Sequence, residues 1–336
     1  MFRRPTAALA AALSLAACSD SPTVAPAALP SLDAAGAPFS YDVPTADGYL
    51  AGADGVRLHY RVVGTGPDTV VVLHGGPGLE MGYLTADLAP LAHGRTLIYY
   101  DQRGGGRSQG SLDPAFVGVD RQVADLEAVR AHFGLEKMSL VGHSWGALLA
   151  GLYARQHADR LERLVLLNPA PVSAAYWAEF DATIAARAGD AANARMMALI
   201  GRWIDGTADR AACEEYLTLR FATYFTDPAK VGALRGAWCD VPEEVARVLL
   251  PVHLTIMATL GDFDLRGTLG HVAAPTLVVH GTGDAVPFAS SRDYADAIPG
   301  ARLLVLDGVG HFPWMEDPVP FFTAVNQFLR TESPRS

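Results

Sequence analysis

The sequence predicts an α/β protein in which a mostly parallel sheet is flanked by helices. Short apolar segments rich in β-branched residues recur along the chain, and several lead into glycine-containing turns. About a hundred residues with helical patterning separate two of these segments, at 163–168 and 275–281, which is too long for a connecting loop. We therefore expect one sheet-containing domain, built from residues 45–171 and 269–332, with a helical insertion at 172–268.

The amino terminus has the features of a bacterial export signal. Two arginines precede an apolar stretch within residues 1–17 that is too short to span a bilayer stably. The stretch ends in Leu-Ala-Ala-Cys, which resembles a lipobox, so we expect cleavage before Cys18 and a lipid on its thiol. An ordinary signal peptide is the alternative. Residues 18–44 are rich in proline, alanine and serine and predict a flexible tether. Ser19 disfavours inner-membrane retention, so we expect anchoring at the outer membrane, facing the periplasm.

The first buried strands each lead into a glycine-rich loop. Residues 69–73 are apolar and precede His-Gly-Gly-Pro-Gly at 74–78, and residues 96–100 precede Asp-Gln-Arg-Gly-Gly-Gly-Arg-Ser at 101–108. Glycines let the backbone approach a bound group closely. The second loop lacks the strand-to-helix setting of a phosphate cradle, so its glycines do not indicate a nucleotide site.

A strand that turns sharply into a helix presents a serine. Residues 137–141 predict the strand, Gly-His-Ser-Trp-Gly at 142–146 predicts the turn, and small residues begin the helix. A serine hydroxyl becomes a good nucleophile only when it stands clear of the backbone, near a base and free N–H donors. The pattern predicts Ser144 as a nucleophile. The alternative, an incidental serine in a glycine-rich turn, requires that no acid and no base follow downstream.

Two later strand ends supply that acid and that base. Asp284 follows a predicted buried strand at 275–281, and His311 follows the next strand at 301–306. Catalytic groups in open α/β sheets gather at the carboxyl ends of strands, and the order serine, acid, histidine is the expected one. We interpret Ser144 as nucleophile, His311 as general base and then acid, and Asp284 as the group that orients the imidazole.

Other polar residues near these strand ends are weaker candidates. His280 lies in the strand before the acid, His143 should point the opposite way along the turn, and Asp307 suits a turn position. The remaining histidines have no supporting motif and are expected in ordinary surface or core positions: His59, His93, His132, His157, His253 and His271.

An acyl-transfer site also needs two backbone N–H groups that point at the developing negative oxygen. Loss of one such donor typically costs ~10²–10³ in turnover. Trp145, directly after the serine, should supply one donor, and Gly76 should supply the other. A glycine-rich turn without a role is the alternative for residues 74–78, and the complete triad downstream disfavours it.

The loops at 74–78 and 101–108, together with the serine turn, resemble the α/β-hydrolase superfamily over about residues 45–332, and in particular its proline iminopeptidase branch. This resemblance implies a serine peptidase that works through an acyl-enzyme on short peptides, without a cofactor or a metal. It also implies that the first loop lines the oxyanion site. In the second loop it implies support of the structure by three charged residues: Asp101, Arg103 and Arg107.

Several positions depart from that branch. Typical iminopeptidases have a glycine where this chain has His143, and several have a glutamate where it has Ala285. The segment 311–318 resembles the broader esterase and C–C hydrolase branches instead. A carboxylesterase or amidase acting on small uncharged substrates is therefore the alternative activity. A non-catalytic ligand receptor on the same fold is a third hypothesis, which the complete triad disfavours.

The resemblance identifies the insertion as a helical cap over the site, and we expect helices in it at 178–192, 194–204, 211–225 and 242–250. Iminopeptidases hold the substrate's ammonium group with cap glutamates. Five glutamates are candidates here, although a solvated helix face would explain any single one: first Glu214 and Glu215, then Glu179, Glu243 and Glu244. Aromatic residues suggest an apolar interior or pocket roof: Trp177, Trp203, Tyr216, Phe221, Tyr224, Phe225 and Trp238.

The two remaining cysteines, Cys213 and Cys239, both fall in the cap. An oxidising compartment would favour a disulfide between them. It would close a loop of about 25 residues and stabilise the fold by roughly 3 kcal/mol. Two separate buried thiols are the alternative.

Composition excludes some classes of partner. The formal net charge of −10 disfavours binding to nucleic acid or anionic lipid, and the sequence has no metal-ligand cluster or dinucleotide fingerprint. We therefore expect a small peptide or ester as the substrate, and membrane contact only through the lipid on Cys18. The oligomeric state is not predicted.

Overall fold

The computed structural model describes residues 44–234, 239 and 241–330. The predicted signal peptide at 1–17, the lipidation of Cys18 and nearly all of the tether lie outside the described residues, as does Trp238. Within those described ranges, no helix combines the length and the apolar character needed to cross a bilayer.

The centre of the molecule is an eight-stranded sheet with the strand order β1-β2-β4-β3-β5-β6-β7-β8. β1 pairs with β2, and β2 with β4, in antiparallel fashion; all other neighbours are parallel. The predicted fold class is confirmed. The strands are β1 Thr45–Ala51, β2 Arg57–Val63, β3 Asp68–Leu73, β4 Arg95–Tyr100, β5 Met138–His143, β6 Leu161–Leu167, β7 Thr276–Gly281 and β8 Arg302–Leu306.

Helices cover the sheet and fill the long connection between β6 and β7. The α-helices are α1 Gly82–Thr85, α2 Pro114–Val117, α3 Val119–His132, α4 Trp145–His157, α5 Trp177–Ile204, α6 Arg210–Ala222, α7 Glu243–Ala246, α8 Leu249–Leu260, α9 Phe288–Ala297, α10 Pro313–Glu316 and α11 Pro318–Leu329. Short 3₁₀ helices lie at Ala53–Gly55, Ala89–Ala92, Ala158–Arg160, Ala174–Tyr176 and Pro228–Ala233.

The apolar core lies on both faces of the sheet. Successive side chains of a strand point to opposite faces, and β3 shows this directly, because Val70 and Val72 join one apolar cluster whereas Val71 and Leu73 join the other. Strands buried on both faces are typical of parallel sheets covered by helices. This explains why β3 to β7 appear in the sequence as continuous apolar runs rather than as alternating patterns.

The cap comprises α5 to α8. The two helices predicted at 178–192 and 194–204 are one element, α5, which is interrupted at Gly189, where φ is 71°. The helix predicted at 242–250 is instead α7 followed by α8, which extends to Leu260. The first cluster of the core continues from the sheet into α5 and α6, so the cap shares apolar packing with the domain below it.

Candidate active site

Ser144 lies at a strained turn between β5 and α4. Its φ of 55° and ψ of −119° place it in a region that residues with side chains rarely adopt. A Cβ on Gly142 would come within 2.4 Å of the Gly146 carbonyl oxygen, and a Cβ on Gly146 within 2.3 Å of the Leu73 carbonyl oxygen. Both positions therefore require glycine, and the close crossing that they permit presents the serine at the end of the sheet.

His311 and Asp284 form a buried pair. The His311 Nδ1 lies 3.0 Å from Asp284 Oδ1 and 2.8 Å from Oδ2, and both side chains are almost fully buried. The acid follows β7 and the histidine follows β8, the two strands beyond β6 in the sheet. An Nδ1–H donated to the carboxylate leaves Nε2 as the ring's acceptor.

Asp284 is surrounded by donors that favour its charged form. Asn168 Nδ2 donates to Oδ2 at 2.7 Å, and the Val286 N–H donates to Oδ1 at 3.0 Å. Burial alone would raise the pKa of Asp284, but the charge and hydrogen bond of His311, with help from Asn168, outweigh it and lower the pKa to about 2. The carboxylate is thus ionised at any physiological pH.

The three predicted residues follow strands at the same edge of the sheet. His143, the neighbour of Ser144, has its ring centroid 4.7 Å from that of His311, and its Nε2 lies 3.0 Å from the His311 carbonyl oxygen. Tyr224 lines the pocket at Ser144 and stacks on the His311 imidazole at 4.5 Å. Serine, histidine and aspartate therefore share the carboxyl edge, as the order of strands predicts.

The loop at 74–78 comes beside the serine. A Cβ on Gly75 would lie 3.1 Å from the Ser144 Cβ, and Gly76 lines the serine pocket with a φ of 51°. The Gly75 carbonyl accepts a hydrogen bond from His74 Nδ1 at 2.9 Å. That carbonyl belongs to the same planar trans peptide group as the Gly76 N–H, so the His74 contact also fixes the direction of this donor.

Trp145, the other predicted donor, is the first residue of α4. N–H groups in the first turn of a helix have no intrahelical acceptor, and Trp145 lines the pocket together with Ser144. The positive end of the helix dipole adds to the attraction for a negative oxygen. Both predicted donors, Gly76 and Trp145, therefore belong to residues that line the pocket with Ser144.

The second glycine-rich loop supports the first. Gln102 accepts a hydrogen bond from Trp145 Nε1 at 2.7 Å, donates from Nε2 to the His74 carbonyl at 2.9 Å, and donates its N–H to His74 Nε2 at 3.0 Å. Asp101 accepts the N–H groups of Met81 and Arg107, both at 2.9 Å. These bonds connect the loop at 101–108 with the loop at 74–78 and with the helix that follows the nucleophile.

The charged residues of that second loop differ in their roles. Arg103 is buried and forms a bidentate pair with Asp125, at 2.6 and 2.8 Å. Arg107 is exposed, and its backbone N–H donates to Asp101 within the same loop. The expectation of structural support therefore describes Asp101 and Arg103, whereas it describes only the backbone of Arg107.

His143 does not point away from the site, and this expectation was wrong. Its buried imidazole lies between Tyr83 Oη, at 2.7 Å from Nδ1, and the His311 carbonyl. Two other candidates have local roles. His280 is bonded to Ser291 Oγ at 2.8 Å, and Asp307 accepts from Thr282 Oγ1 at 3.0 Å.

The pocket at Ser144 is small and apolar. Its roof and walls come from the cap and from loops at the sheet edge: Ala170, Pro171, Trp177, Phe180, Tyr224, Met257 and Val286. The space open to water is about 30 Å³, room for about two water molecules. Among the described residues that line it, none has an acidic side chain.

The predicted cap glutamates lie elsewhere. Glu215 forms an ion pair with Arg195, and both side chains are about half exposed. Glu214 follows Cys213 on α6, Glu179 is exposed on α5, and Glu243 pairs with Arg247 at 3.5 Å. The structure does not bring these carboxylates to the serine pocket. Glu244 is likewise exposed, on α7.

A disulfide links two parts of the cap, and hydrogen bonds connect the cap to the loop that carries His311. A disulfide joins Cys213 on α6 to Cys239, with their Cα atoms 6.2 Å apart. The His311 N–H donates to the Tyr224 carbonyl at 2.9 Å, and Glu316 accepts the Gly310 N–H at 2.9 Å and the Thr226 hydroxyl. The histidine loop and the cap segment at 224–226 are thus held together.

Sequence reasoning missed several residues that shape the site. Asn168 adopts a φ of 42° after β6 and donates both to Asp284 and to the Gly310 carbonyl, at 2.7 and 3.1 Å. Its position at a strand end was a usable signal, since asparagine tolerates positive φ. Tyr83 and Gln102 gave no comparable signal, because their partners are distant in sequence.

Comparison with known proteins shows the family of the chain. A family model described as alpha/beta hydrolase fold matches residues 68–318, and the chain belongs to that family; it is a hydrolase enzyme. It is similar to a proline iminopeptidase of Levilactobacillus brevis, at 28% identity over 297 residues, covering 81% of this chain and 93% of that protein.

Solved structures show the same resemblance. A proline iminopeptidase from Mycobacterium smegmatis superposes with a TM-score of 0.60 at 27% identity, covering 84% of this chain and 97% of that one. A thermophilic esterase from Thermogutta terrifontis superposes at 0.62 with 23% identity, covering 85% and 98%; at this identity the likeness shows the fold alone. The fold is thus common to peptidases and esterases.

Proposed function

We propose that the protein is a serine hydrolase that works through a Ser144–His311–Asp284 triad and an acyl-enzyme. The observation that supports this most strongly is the buried His311–Asp284 pair at the same sheet edge as a serine in a strained strand-to-helix turn. Ser144 Oγ attacks the substrate carbonyl while His311 Nε2 accepts its proton. The N–H groups of Gly76 and Trp145 stabilise the oxyanion, and Asp284 stabilises the imidazolium.

The second half of the reaction uses the same groups. The imidazolium donates its proton to the leaving amine or alkoxide, which breaks the scissile bond and leaves an ester on Ser144. A water molecule, deprotonated by His311, then attacks this ester, and the proton returns to the serine as the acid is released.

For the substrate, we propose the amino-terminal proline of a short peptide. The similarity to proline iminopeptidases over most of the chain supports this, and a small apolar pocket suits a pyrrolidine ring. With about 30 Å³ open to water, the roof formed by Trp177, Phe180 and Tyr224 must shift before an acyl group enters.

A carboxylic ester or amide without a charged amine is the second candidate. It is favoured by one observation: no described residue that lines the pocket is acidic, so the predicted glutamates Glu214 and Glu215 are not among its lining residues. An ammonium group buried without a partner would be unfavourable, whereas a neutral acyl group would need none.

Two substrates assayed side by side separate these candidates. Proline-β-naphthylamide tests release of an amino-terminal proline, and p-nitrophenyl acetate tests simple ester hydrolysis. We expect cleavage of the naphthylamide, and we expect this cleavage to be lost when the proline nitrogen is acylated. Rapid ester hydrolysis with no naphthylamide cleavage would instead establish the second candidate. Fluorophosphonate labelling of the wild type, but not of Ser144→Ala, tests the triad itself and would exclude a non-catalytic receptor.

We also propose that the enzyme is anchored to the outer membrane through a lipid on Cys18 and faces the periplasm. The basic start, the short apolar stretch and the Leu-Ala-Ala-Cys ending support this proposal. Metabolic labelling with a fatty acid should mark the wild type but not Cys18→Ala. Equal labelling of both would contradict lipidation at this residue.

A further inference from the structure

His143 connects three segments of the site that are far apart in the sequence. The Gly75 N–H donates to Tyr83 Oη at 2.6 Å, Tyr83 Oη lies 2.7 Å from His143 Nδ1, and His143 Nε2 lies 3.0 Å from the His311 carbonyl oxygen. All of these residues are buried. The chain of bonds thus runs from the oxyanion loop, through the neighbour of the nucleophile, to the backbone of the base.

For a neutral His143 ring, only one arrangement of protons satisfies this chain. A carbonyl oxygen can only accept, so His143 Nε2 must hold the proton that it shares with His311. In a neutral ring Nδ1 is then an acceptor, so the Tyr83 hydroxyl donates to it and uses a lone pair to accept from Gly75. Burial and the nearby charge of His311 lower the pKa of His143 well below its usual range, which keeps the ring neutral.

We propose that His143, acting with Tyr83, is a positioning residue for catalysis. Neutral and held in its Nε2–H tautomer, it fixes the Gly75–Gly76 segment and the backbone of His311 relative to Ser144. It touches no reacting atom, and nothing in the proposed chemistry needs it to change charge. The inference rests on the proposed triad, because it assigns His143 a role only if Gly76 and His311 do the chemistry.

Aromatic packing is the competing explanation for this histidine. Its ring lies 4.8 Å from Trp314 and 5.5 Å from Phe312, so a side chain of similar volume without hydrogen bonds would satisfy packing alone. His143→Leu is that packing control. His143→Gln keeps a donor near the Nε2 position and can still reach the His311 carbonyl, but it loses the bond from Tyr83.

The variants should separate the two explanations by kinetics. Since small misplacements of reacting groups cost up to about a hundredfold in rate, we expect His143→Leu to lower kcat by about tenfold to a hundredfold with little change in KM. His143→Gln should lose less. Activity is measured on the substrate that the wild type cleaves best, and thermal unfolding of each variant is recorded.

Chemical rescue gives a readout that packing would not produce. His143→Gly leaves a space for free imidazole, which should restore much of the lost kcat. The rescue should grow as pH rises through about 7, where free imidazole becomes neutral, because only the neutral ring accepts from Tyr83. Tyr83→Phe in the same background should abolish the rescue while leaving the imidazole space intact.

The outcomes are distinct. If His143→Leu keeps most of the wild-type kcat, or if imidazole rescues equally with and without the Tyr83 hydroxyl, the positioning role is wrong. If His143→Gly does not fold, the comparison of His143→Leu with His143→Gln decides. Ser144→Ala tests the proposed function separately: an active Ser144→Ala overturns the triad, whereas an inactive one beside a fully active His143→Leu overturns only this inference.

Discussion

The carboxyl edge of the sheet and the cap contribute to the same pocket in different ways. At the edge, hydrogen bonds fix the reactive groups, as in the pair of His311 with Asp284 and the contact of His74 with the Gly75 carbonyl. The cap contributes apolar surface, chiefly Trp177, Phe180 and Tyr224. Hydrogen bonds have direction, whereas apolar contacts have little. The edge therefore orients the groups to which we assign the reaction, and the cap determines the shape of the pocket.

This difference has a consequence for variants of the two regions. A change at the edge should lower kcat by orders of magnitude, because orientation of the reacting groups is lost. A change in the cap should alter the stability of the lid or the choice of substrate and leave the chemical step nearly intact. An edge variant that changed only stability or substrate choice, or a cap variant that lowered kcat by orders of magnitude, would contradict this comparison.

The largest effect is expected for Asp284→Asn. An amide in place of the carboxylate donates to His311 Nδ1, which forces the proton onto Nε2 and removes the base. We expect kcat to fall by about 10⁴. Because the pKa of Asp284 is lowered to about 2, its contribution to stability is present above pH 3.9 and lost only as pH falls through about 2.

Asp307→Asn is the matched control for that variant. Asp307 is an exposed loop carboxylate that accepts from Thr282, so its loss should change kcat little. Steady-state kinetics at neutral pH compares the two variants. Equal losses in both would mean that Asp284 is not the residue that orients the imidazole.

How much the sequence predicts follows the same division. The shared edge of Ser144, Asp284 and His311 was predictable because each lies at or shortly after a strand end, and parallel strands bring their carboxyl ends to one edge. The antiparallel pairing of β1 and β2 was not, since it depends on long-range partners. His143 was misjudged because the turn fixes its backbone but not the groups that its ring meets.

The cap was predictable only as helices. A glutamate on a helix surface has the same local sequence whether it faces a pocket or solvent, so Glu214 and Glu215 could not be placed. The aromatic residues Trp177 and Tyr224 were expected in an interior or a roof, and both line the pocket. The size and apolarity of a side chain follow from its residue type, whereas its direction in the fold does not.

The second prediction concerns the disulfide of the cap. The Cys213–Cys239 bridge spans 26 positions, and its removal should cost roughly 3–4 kcal/mol in the chain-entropy account. We expect a reductant to lower the thermal midpoint of the wild type, and Cys213→Ala/Cys239→Ala to unfold at the lower midpoint with no further response to reductant. If a reductant leaves the thermal midpoint of the wild type unchanged, the prediction is contradicted.

The third prediction concerns the pH dependence of folding stability near the sheet edge. Burial and the charge of Asp101 raise the pKa of Glu80, just after the loop at 74–78, to about 8. Since this is above the unfolded value of about 4.3, the stability contributed by Glu80 is complete below pH 4.3 and lost as pH rises through about 8.

Glu80→Gln should remove this dependence, because the amide cannot ionise. Relative to the wild type, the variant should gain on the order of 4 kcal/mol between pH 5 and pH 9, measured by denaturant unfolding at both values. Glu136→Gln, at an exposed glutamate, is the control and should show no such gain. Parallel curves for Glu80→Gln and the wild type would show that Glu80 ionises normally in the folded protein.

The smallest effect is expected in the roof of the pocket. Phe180 is buried on α5, lines the pocket at Ser144 and stacks on Tyr224 at 6.1 Å. Phe180→Leu keeps an apolar side chain but frees space over the serine. It should raise kcat/KM for a bulky acyl group relative to a small one by about tenfold, the usual scale for hydrophobic discrimination, with kcat for the small substrate nearly unchanged.

Met197→Ala on the same helix is the matched control, because Met197 is half exposed and lines a different cavity of the cap. It should leave the ratio of the two substrates unaltered. If Phe180→Leu instead lowers kcat for both substrates alike, the roof orients the reacting groups as the sheet edge does. The aromatic contact of Tyr224 with the His311 ring would then belong to the catalytic geometry, and the division between edge and cap would have to be drawn inside the cap.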